Sequence, residues 1–405
     1  MNTSLAYKTP PKRLKYLAIG NSFSDDTVRF LFPILRDMGV EEIVLGNLYY
    51  PGCPLHRQLR NLREDHREYD YRLNTDGEWH TTPQSSIRDA ILSEDWDVIS
   101  MQQVSGLSGL AVRYDCLPEL IDEVRALCGD KPRFIWNMTW TYKKGTDHPH
   151  FPFYDNDQEK MYRAILDVTF ERILPNPAFE ALVPTGTAIA NARTSFLGDN
   201  LNRDGFHLNM TTGRYITGLC MAHALTGVSL DCVRFAPEGI VNSIYAKELR
   251  AVCMEAAQNA IDTPFAVTPS RITEVAPLHL EDYEEVPFVL TEGVHYEPFS
   301  DGKALITVAD GSAAVTSLLS REELPAGSIL ALDCTWQLRA DGVKTDGTPL
   351  LPRPAFTATE LFRVSNAWWG EAEGRAITLM QRNLLPLTEA KTPLDQALKI
   401  YRPKK

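Results

Sequence analysis

Along the first two-thirds of the chain, short runs of apolar residues alternate with amphipathic stretches, the pattern of a parallel α/β architecture. The apolar runs predict strands at Lys15–Ile19, Ile43–Leu48, Asp97–Met101, Arg133–Asn137 and Ala181–Val183. They are apolar at successive positions, as a sheet covered by helices on both faces requires. Helical spacing predicts helices at Thr27–Met38, Leu117–Leu127, Gln158–Ile173, Thr212–Leu225 and Lys247–Ile261. Tyr69–His80 reads as a β-hairpin with its turn near Asp76-Gly77. After Pro264 the helical period fades into short alternating runs, among them Ala304–Val308, Ser328–Leu332 and Thr335–Leu338, punctuated by Gly and Pro. The expected organisation is an α/β domain over residues 1–265 and a smaller β-rich domain over 266–405.

Composition narrows the function classes. The chain has 405 residues, 44% hydrophobic and 23% charged, so it is globular. A formal net charge of −12 disfavours a general nucleic-acid binder or a phosphate-rich partner. No apolar run approaches the roughly 18–20 residues of a membrane span. The N-terminus lacks the apolar stretch of a leader peptide, so the chain as given reads as cytoplasmic; a secreted chain trimmed of its leader would read the same. Seven cysteines, none in a CxxC pair, give neither a disulfide framework nor a zinc pattern. Cys53 stands beside a candidate site glycine, and Cys220 falls inside an amphipathic helix. Oligomeric state is not legible.

Candidate chemistry gathers at the predicted strand ends. Gly20-Asn21-Ser22-Phe23-Ser24 follows the first strand and precedes a helix, where open α/β sheets bind ligands and where helix N–H groups favour an oxyanion. A serine there is either a nucleophile or an N-cap. Asp204-Gly205-Phe206-His207 places a carboxylate three residues before an imidazole, so one tight loop can present both. That pair is either a general base with its orienting acid or a helix-entry loop. Gly52, in Tyr50–Pro54 after the second strand, can bring a backbone N–H close to a substrate. Gln102 and Gln103, after the third strand, offer carboxamide donors, and strand alternation turns only one of them to the site, with Gln102 preferred.

Taken together, LAIGNSFSDD, YYPGCPL, WDVISMQQVSG and RDGFHLN resemble the SGNH-hydrolase (GDSL-like) superfamily over about residues 14–230. The resemblance implies a three-layer α/β/α, flavodoxin-like esterase without metal or organic cofactor. Ser22 would be the nucleophile, His207 the base and Asp204 its orienting acid; Gly52 and the Ser22 N–H would be oxyanion donors. Two departures stand out: GNS replaces the usual GDS, and Gln102-Gln103 stands where Gly-x-Asn-Asp is usual. The loop Met138–Asp157 holds Trp140, Tyr142, Phe151, Phe153 and Tyr154, with Trp136 just ahead. Aromatic faces on the rim suit sugar rings, which points to carbohydrate O-deacetylation; packing of the loop onto the sheet is the alternative. His148-Pro149-His150 lacks a third metal ligand at sensible spacing. His56 reads as a pocket or a helix-surface residue, Arg193 and Arg203 as cations that meet an acidic sugar or a phosphate or, on the plainer reading, as solvated cations, and Trp368-Trp369 as core or ligand platform. A non-catalytic glycan-binding protein and a lipase or thioesterase are the competing functions. A phosphate-cradling nucleotide binder is disfavoured, since neither GxGxxG nor GxxxxGK[ST] is present.

Overall fold

A computed structural model gives the fold; it describes residues 1–241, 245–275, 280–286, 296–298, 304–306, 329–338, 356–363, 384–386 and 398–404. Two compact units result, Met1–Pro237 with Glu248–Glu274, and Glu238–Lys247 with Val275–Lys405.

The first unit is built on a seven-stranded sheet. Its strands are β1 (Arg13–Gly20), β2 (Glu42–Tyr49), β3 (Tyr69–Asn74), β4 (His80–Ser85), β5 (Val98–Met101), β6 (Arg133–Asn137) and β7 (Phe179–Val183), in the spatial order β4-β3-β2-β1-β5-β6-β7. β2, β1, β5, β6 and β7 run parallel, and the β3–β4 hairpin adds two antiparallel strands beyond β2. In β1 the run Tyr16–Ile19 is fully buried, because helices cover both faces. One layer contains α1 (Ser22–Val28), α2 (Leu31–Asp37), α7 (Thr185–Ala192) and α8 (Thr212–Thr226), packed on one another. The opposite layer contains α3 (Leu55–Arg63), α4 (Ile87–Leu92) and α5 (Leu117–Cys128). The order changes direction between β2 and β5, on either side of β1, and the crevice outside the carboxyl end of β1 is where this topology places a ligand.

Three expectations need correction. The helix expected over Thr27–Met38 is two helices, starting at Ser22 and broken at Arg29–Phe30. Pro33 explains the break: its ring would collide with the carbonyl four residues back, on Arg29, and it has no N–H for an intrahelical bond. The hairpin is longer than Tyr69–His80, with its second strand running to Ser85. The helix that begins at Gln158, α6 (Gln158–Val168), gives way to a π turn at Thr169–Ile173.

The second unit is β-rich. β8 (Tyr283–Val286), β11 (Ile329–Leu338), β12 (Phe356–Arg363), β13 (Leu384–Pro386) and β14 (Leu398–Pro403) form one sheet in the order β12-β11-β14-β8, with β13 also on β11. β9 (Tyr296–Pro298) and β10 (Ala304–Ile306) pair separately. β11 joins the two runs expected at 328–332 and 335–338 into one strand. Trp368 and Trp369 lie outside the described residues.

Candidate active site

The carboxyl ends of β1, β2, β5 and β6 bring the candidate residues to one edge of the sheet. β1 ends at Gly20, and Asn21 is the N-cap of α1, its Oδ1 accepting from the Phe23 N–H at 3.0 Å. The cap is therefore Asn21 and neither serine. Ser24 is 3% exposed, and its hydroxyl meets the Asn21 carbonyl at 2.7 Å and Asn47 Oδ1 at 2.8 Å. Ser22 is half-buried, and its hydroxyl has no hydrogen-bond partner among the described residues. As the first residue of α1, its N–H precedes the intrahelical ladder and stays available to an acceptor. Two serines two residues apart thus differ: Ser24 is tied into the floor, and the Ser22 hydroxyl has no partner among the described residues.

A Cβ on Gly20 would stand 2.5 Å from the Ser24 hydroxyl and 3.5 Å from the Gln102 carboxamide, so this position has no room for a side chain. Gln102 is 2% exposed and bonded at both ends of its carboxamide. Its Nε2 donates to Asn21 Oδ1 at 2.9 Å, and its Oε1 accepts from Asn137 Nδ2 at 2.9 Å. Thr185 donates to Asn137 Oδ1 at 2.9 Å, which extends this neutral network from the end of β1 to the start of α7. Asn21 also donates through Nδ2 to the Cys53 carbonyl at 3.3 Å. This bond accounts for asparagine in GNS: an aspartate at residue 21 would accept the same N–H groups but leave Cys53 without its donor.

Gln103 is also buried but serves a different neighbour. Its Oε1 accepts from Leu55 N at 3.2 Å and Val104 N at 2.9 Å, and its Nε2 donates to the Arg113 carbonyl at 2.9 Å. It therefore caps α3, and Gln102 is the one turned toward the turn that carries Ser22. Gly52 is exposed with φ +62°, a left-handed conformation that favours glycine, and its N–H has no acceptor among the described residues. Cys53 is buried against Tyr69, Sγ to hydroxyl 3.5 Å, and burial pushes its thiol up to about 11, so it is no nucleophile.

The loop before α8 carries the imidazole. Asp204 Oδ2 lies 2.5 Å from His207 Nδ1, while its Oδ1 accepts from the His207 N–H at 2.8 Å and the Phe206 N–H at 3.2 Å. The Asp204 side chain is 2% exposed and that of His207 18%. A shielded carboxylate on Nδ1 fixes the tautomer that leaves Nε2 as the acceptor. The His207 ring faces Phe23, the residue after Ser22, at 6.1 Å between centroids. Trp140 stacks on Phe23 at 4.0 Å and donates from Nε1 to the Phe206 carbonyl at 2.8 Å, bracing both sides of this contact.

Asp26, one helical turn after Ser22, closes the LAIGNSFSDD motif, but nothing in the sequence singles out its side chain for the site. It is fully buried, and its Oδ2 accepts from the Leu208 N–H at 2.8 Å. Its Oδ1 meets Arg203 Nη1 at 3.0 Å and Arg214 Nε at 2.8 Å. Burial would raise its pKa, but Arg203, Arg214, His207 and the Leu208 N–H together hold it below its ordinary value of 3.8. Arg203 is thus no solvated cation, and neither is Arg193, which is buried between Asn202 and the Thr141 carbonyl.

The aromatic rim also needs correction. Trp136, Trp140, Tyr142, Phe151 and Tyr154 are all buried; only Phe153 is open, at 53%, stacked on His150 at 5.2 Å. His148 contacts Tyr142 and Phe206, and His56 is exposed on α3. Among the described residues no three His, Cys, Asp or Glu side chains are grouped to hold a metal ion, and no helix is long and apolar enough to cross a membrane.

Comparison with known proteins places the chain. Two solved structures superpose weakly: a Slackia heliotrinireducens protein provisionally named an SGNH hydrolase (15% identity, TM-score 0.34, covering 52% of this chain and 98% of its own) and BT4096, a gut microbial diltiazem-metabolizing enzyme (12%, TM-score 0.30, 55% and 47%). Neither is similar enough to bear on the chemistry here. A search of curated proteins found no match. A crystal structure of a DUF4886 family protein from Bacteroides uniformis ATCC 8492 is 38% identical, with a TM-score of 0.60, covering 63% of this chain and 97% of its own. The family model for DUF4886, a domain of unknown function, matches residues 15–259. With most of the α/β unit inside that match, the chain belongs to the DUF4886 family.

Proposed function

We propose that the α/β/α unit is a serine ester hydrolase of the SGNH type, with Ser22 as nucleophile, His207 as general base and Asp204 as its orienting acid. The observation that carries this reading is the 2.5 Å pair of shielded Asp204 with His207 on a loop bonded to the helix that opens with Ser22, whose hydroxyl has no partner among the described residues. His207 Nε2 takes the Ser22 proton as Oγ bonds to the ester carbonyl carbon, and the carbonyl π pair moves to oxygen. The Ser22 and Gly52 N–H groups receive that oxyanion. Collapse breaks the bond to the alcohol, which leaves with the proton from His207. Water, deprotonated by His207, then attacks the acyl-serine; collapse breaks the bond to Ser22 Oγ, which takes the proton back from His207 as the acid leaves.

Gln102 and Gln103, oxyanion donors on the sequence reading, are assigned supporting roles: Gln102 through Asn21, and Gln103 through the start of α3. Carbohydrate O-acetyl esters are the substrate class we assign. The aromatic face open to a sugar ring is Phe153, stacked on His150. Hydrolysis of p-nitrophenyl acetate, butyrate and octanoate, beside Ser22→Ala, tests the reading. Acetate is expected to be preferred, and the variant to lose about 10³-fold or more in kcat with the fold intact. Near wild-type turnover in Ser22→Ala overturns the nucleophile, and preference for octanoate moves the substrate class toward lipids.

A further inference from the structure

The loop that presents the proposed base does not hold its position alone. Its two ends, Arg203 and Leu208, are both bound to Asp26: Arg203 through Nη1 and Leu208 through its N–H. Arg203 also donates from Nη1 to the Leu208 carbonyl and from its backbone N–H to the His207 carbonyl, the latter at 2.9 Å, so the loop is closed on itself. Arg214, in the first turn of α8, reaches the same Asp26 oxygen as Arg203. Asp26 and Ser22 are four residues apart on α1 and share a helix face. A single carboxylate thus ties the segment bearing His207 to the helix that starts at Ser22.

An isolated buried carboxylate is costly, and even one with two arginines is often no more stabilising than apolar packing. Stability alone is therefore a weak reason for this arrangement. Geometry is a better one, because a displacement of about 1 Å between reacting groups can cost on the order of 10²-fold in rate. We infer that Asp26 is a positioning residue for the reaction, holding the Asp204–His207 loop in register with Ser22 while touching no substrate. This rests on the proposed hydrolase reading.

The test is a double-mutant cycle on p-nitrophenyl acetate turnover, with Asp26→Asn and His207→Asn made singly and together. Asp26→Asn is expected to lower kcat about 10²-fold with KM within about threefold. In the His207→Asn background the same change is expected to cost less than about threefold, since there is no longer a base to place. A full 10²-fold loss in that background, or a loss confined to KM, overturns the proposal. If Asp26→Asn does not fold, Arg203→Gln removes one of the two loop grips and enters the same cycle, with about a 10-fold kcat loss expected in the native background and none in the His207→Asn one. Failure of the hydrolase reading shows separately, as turnover that survives Ser22→Ala; the coupling of Asp26 to His207 is still measured in that case.

Discussion

Two buried polar assemblies meet at the start of α1, and they are built from opposite materials. On one side the neutral chain Asn21–Gln102–Asn137–Thr185 links strand ends through amides and a hydroxyl, with no formal charge. On the other, Asp26, Arg203, Arg214, Asp204 and His207 form a charged cluster whose links span nearly two hundred residues of chain. The neutral network lies under a turn that must stay put; nothing in it titrates near neutrality, so its geometry is independent of pH. On the proposed reading, the charged cluster borders the imidazole that would gain and lose a proton in each cycle, and fixed charges are what can follow that change electrostatically. Separation of the two would let the turn of the proposed nucleophile remain rigid while the proposed base changes charge.

The contrast can be broken in four ways, in decreasing size of effect. Asp204→Asn acts on the charged side: the wrong histidine tautomer is expected to lower kcat by about 10⁴-fold with little change in melting temperature. A mere rise in KM would remove Asp204 from the catalytic set. Asn21→Asp acts on the neutral side by putting a charge into it and deleting the donor to the Cys53 carbonyl. About 2 kcal/mol of stability is expected to go, measured by urea denaturation. Gln102→Ala is expected to reduce kcat about 10-fold by loosening Asn21, against less than about threefold for Gln103→Ala; equal losses would mean that the neutral network does not distinguish them. The smallest effect is on pH. Because Asp26 is held below its ordinary value of 3.8, its contribution to stability is complete above about pH 4 and is lost only as pH falls through its lower folded-state value. The stability gap between wild type and Asp26→Asn should therefore be widest above pH 4 and narrow below it, whereas Asn137→Ala should show a gap that is flat over the same range.

What can be read from the sequence depends on how local its cause is. The five parallel strands are legible because burial on both faces leaves an unbroken apolar run, as in Tyr16–Ile19. The split between α1 and α2 is written in Pro33, though the apolar spacing across it hides the break. β4 leaves almost no signal: five of its six residues are exposed at the sheet edge, so no alternation marks it. α7, with the sequence TGTAIANA, is buried almost all round and carries no amphipathic stripe to find. At the candidate site, Ser22, Gly52, Asp204 and His207 are visible because each belongs to a short local motif. Asp26 is not, because its arginines lie 177 and 188 residues away and periodicity carries no information at that distance. The rim aromatics mislead for the same reason, since their burial is decided by Phe23, Phe206 and the sheet rather than by their neighbours in sequence.

The two glycines at the site set different limits on how it can diversify. Gly20 has an ordinary strand conformation but no space, so any side chain there must displace Ser24, which lies 2.5 Å from where a Cβ would stand. Gly52 has open space, with nothing within 4 Å of where a Cβ would stand, but a left-handed backbone that most residues resist. A library aimed at new acyl groups would thus find residue 20 closed in a single step, whereas residue 52 is open to asparagine or aspartate, the side chains that tolerate such a backbone. On the proposed reading, evolution toward bulkier or smaller substrates would have an entry on the β2 side of Ser22 and a wall beneath it.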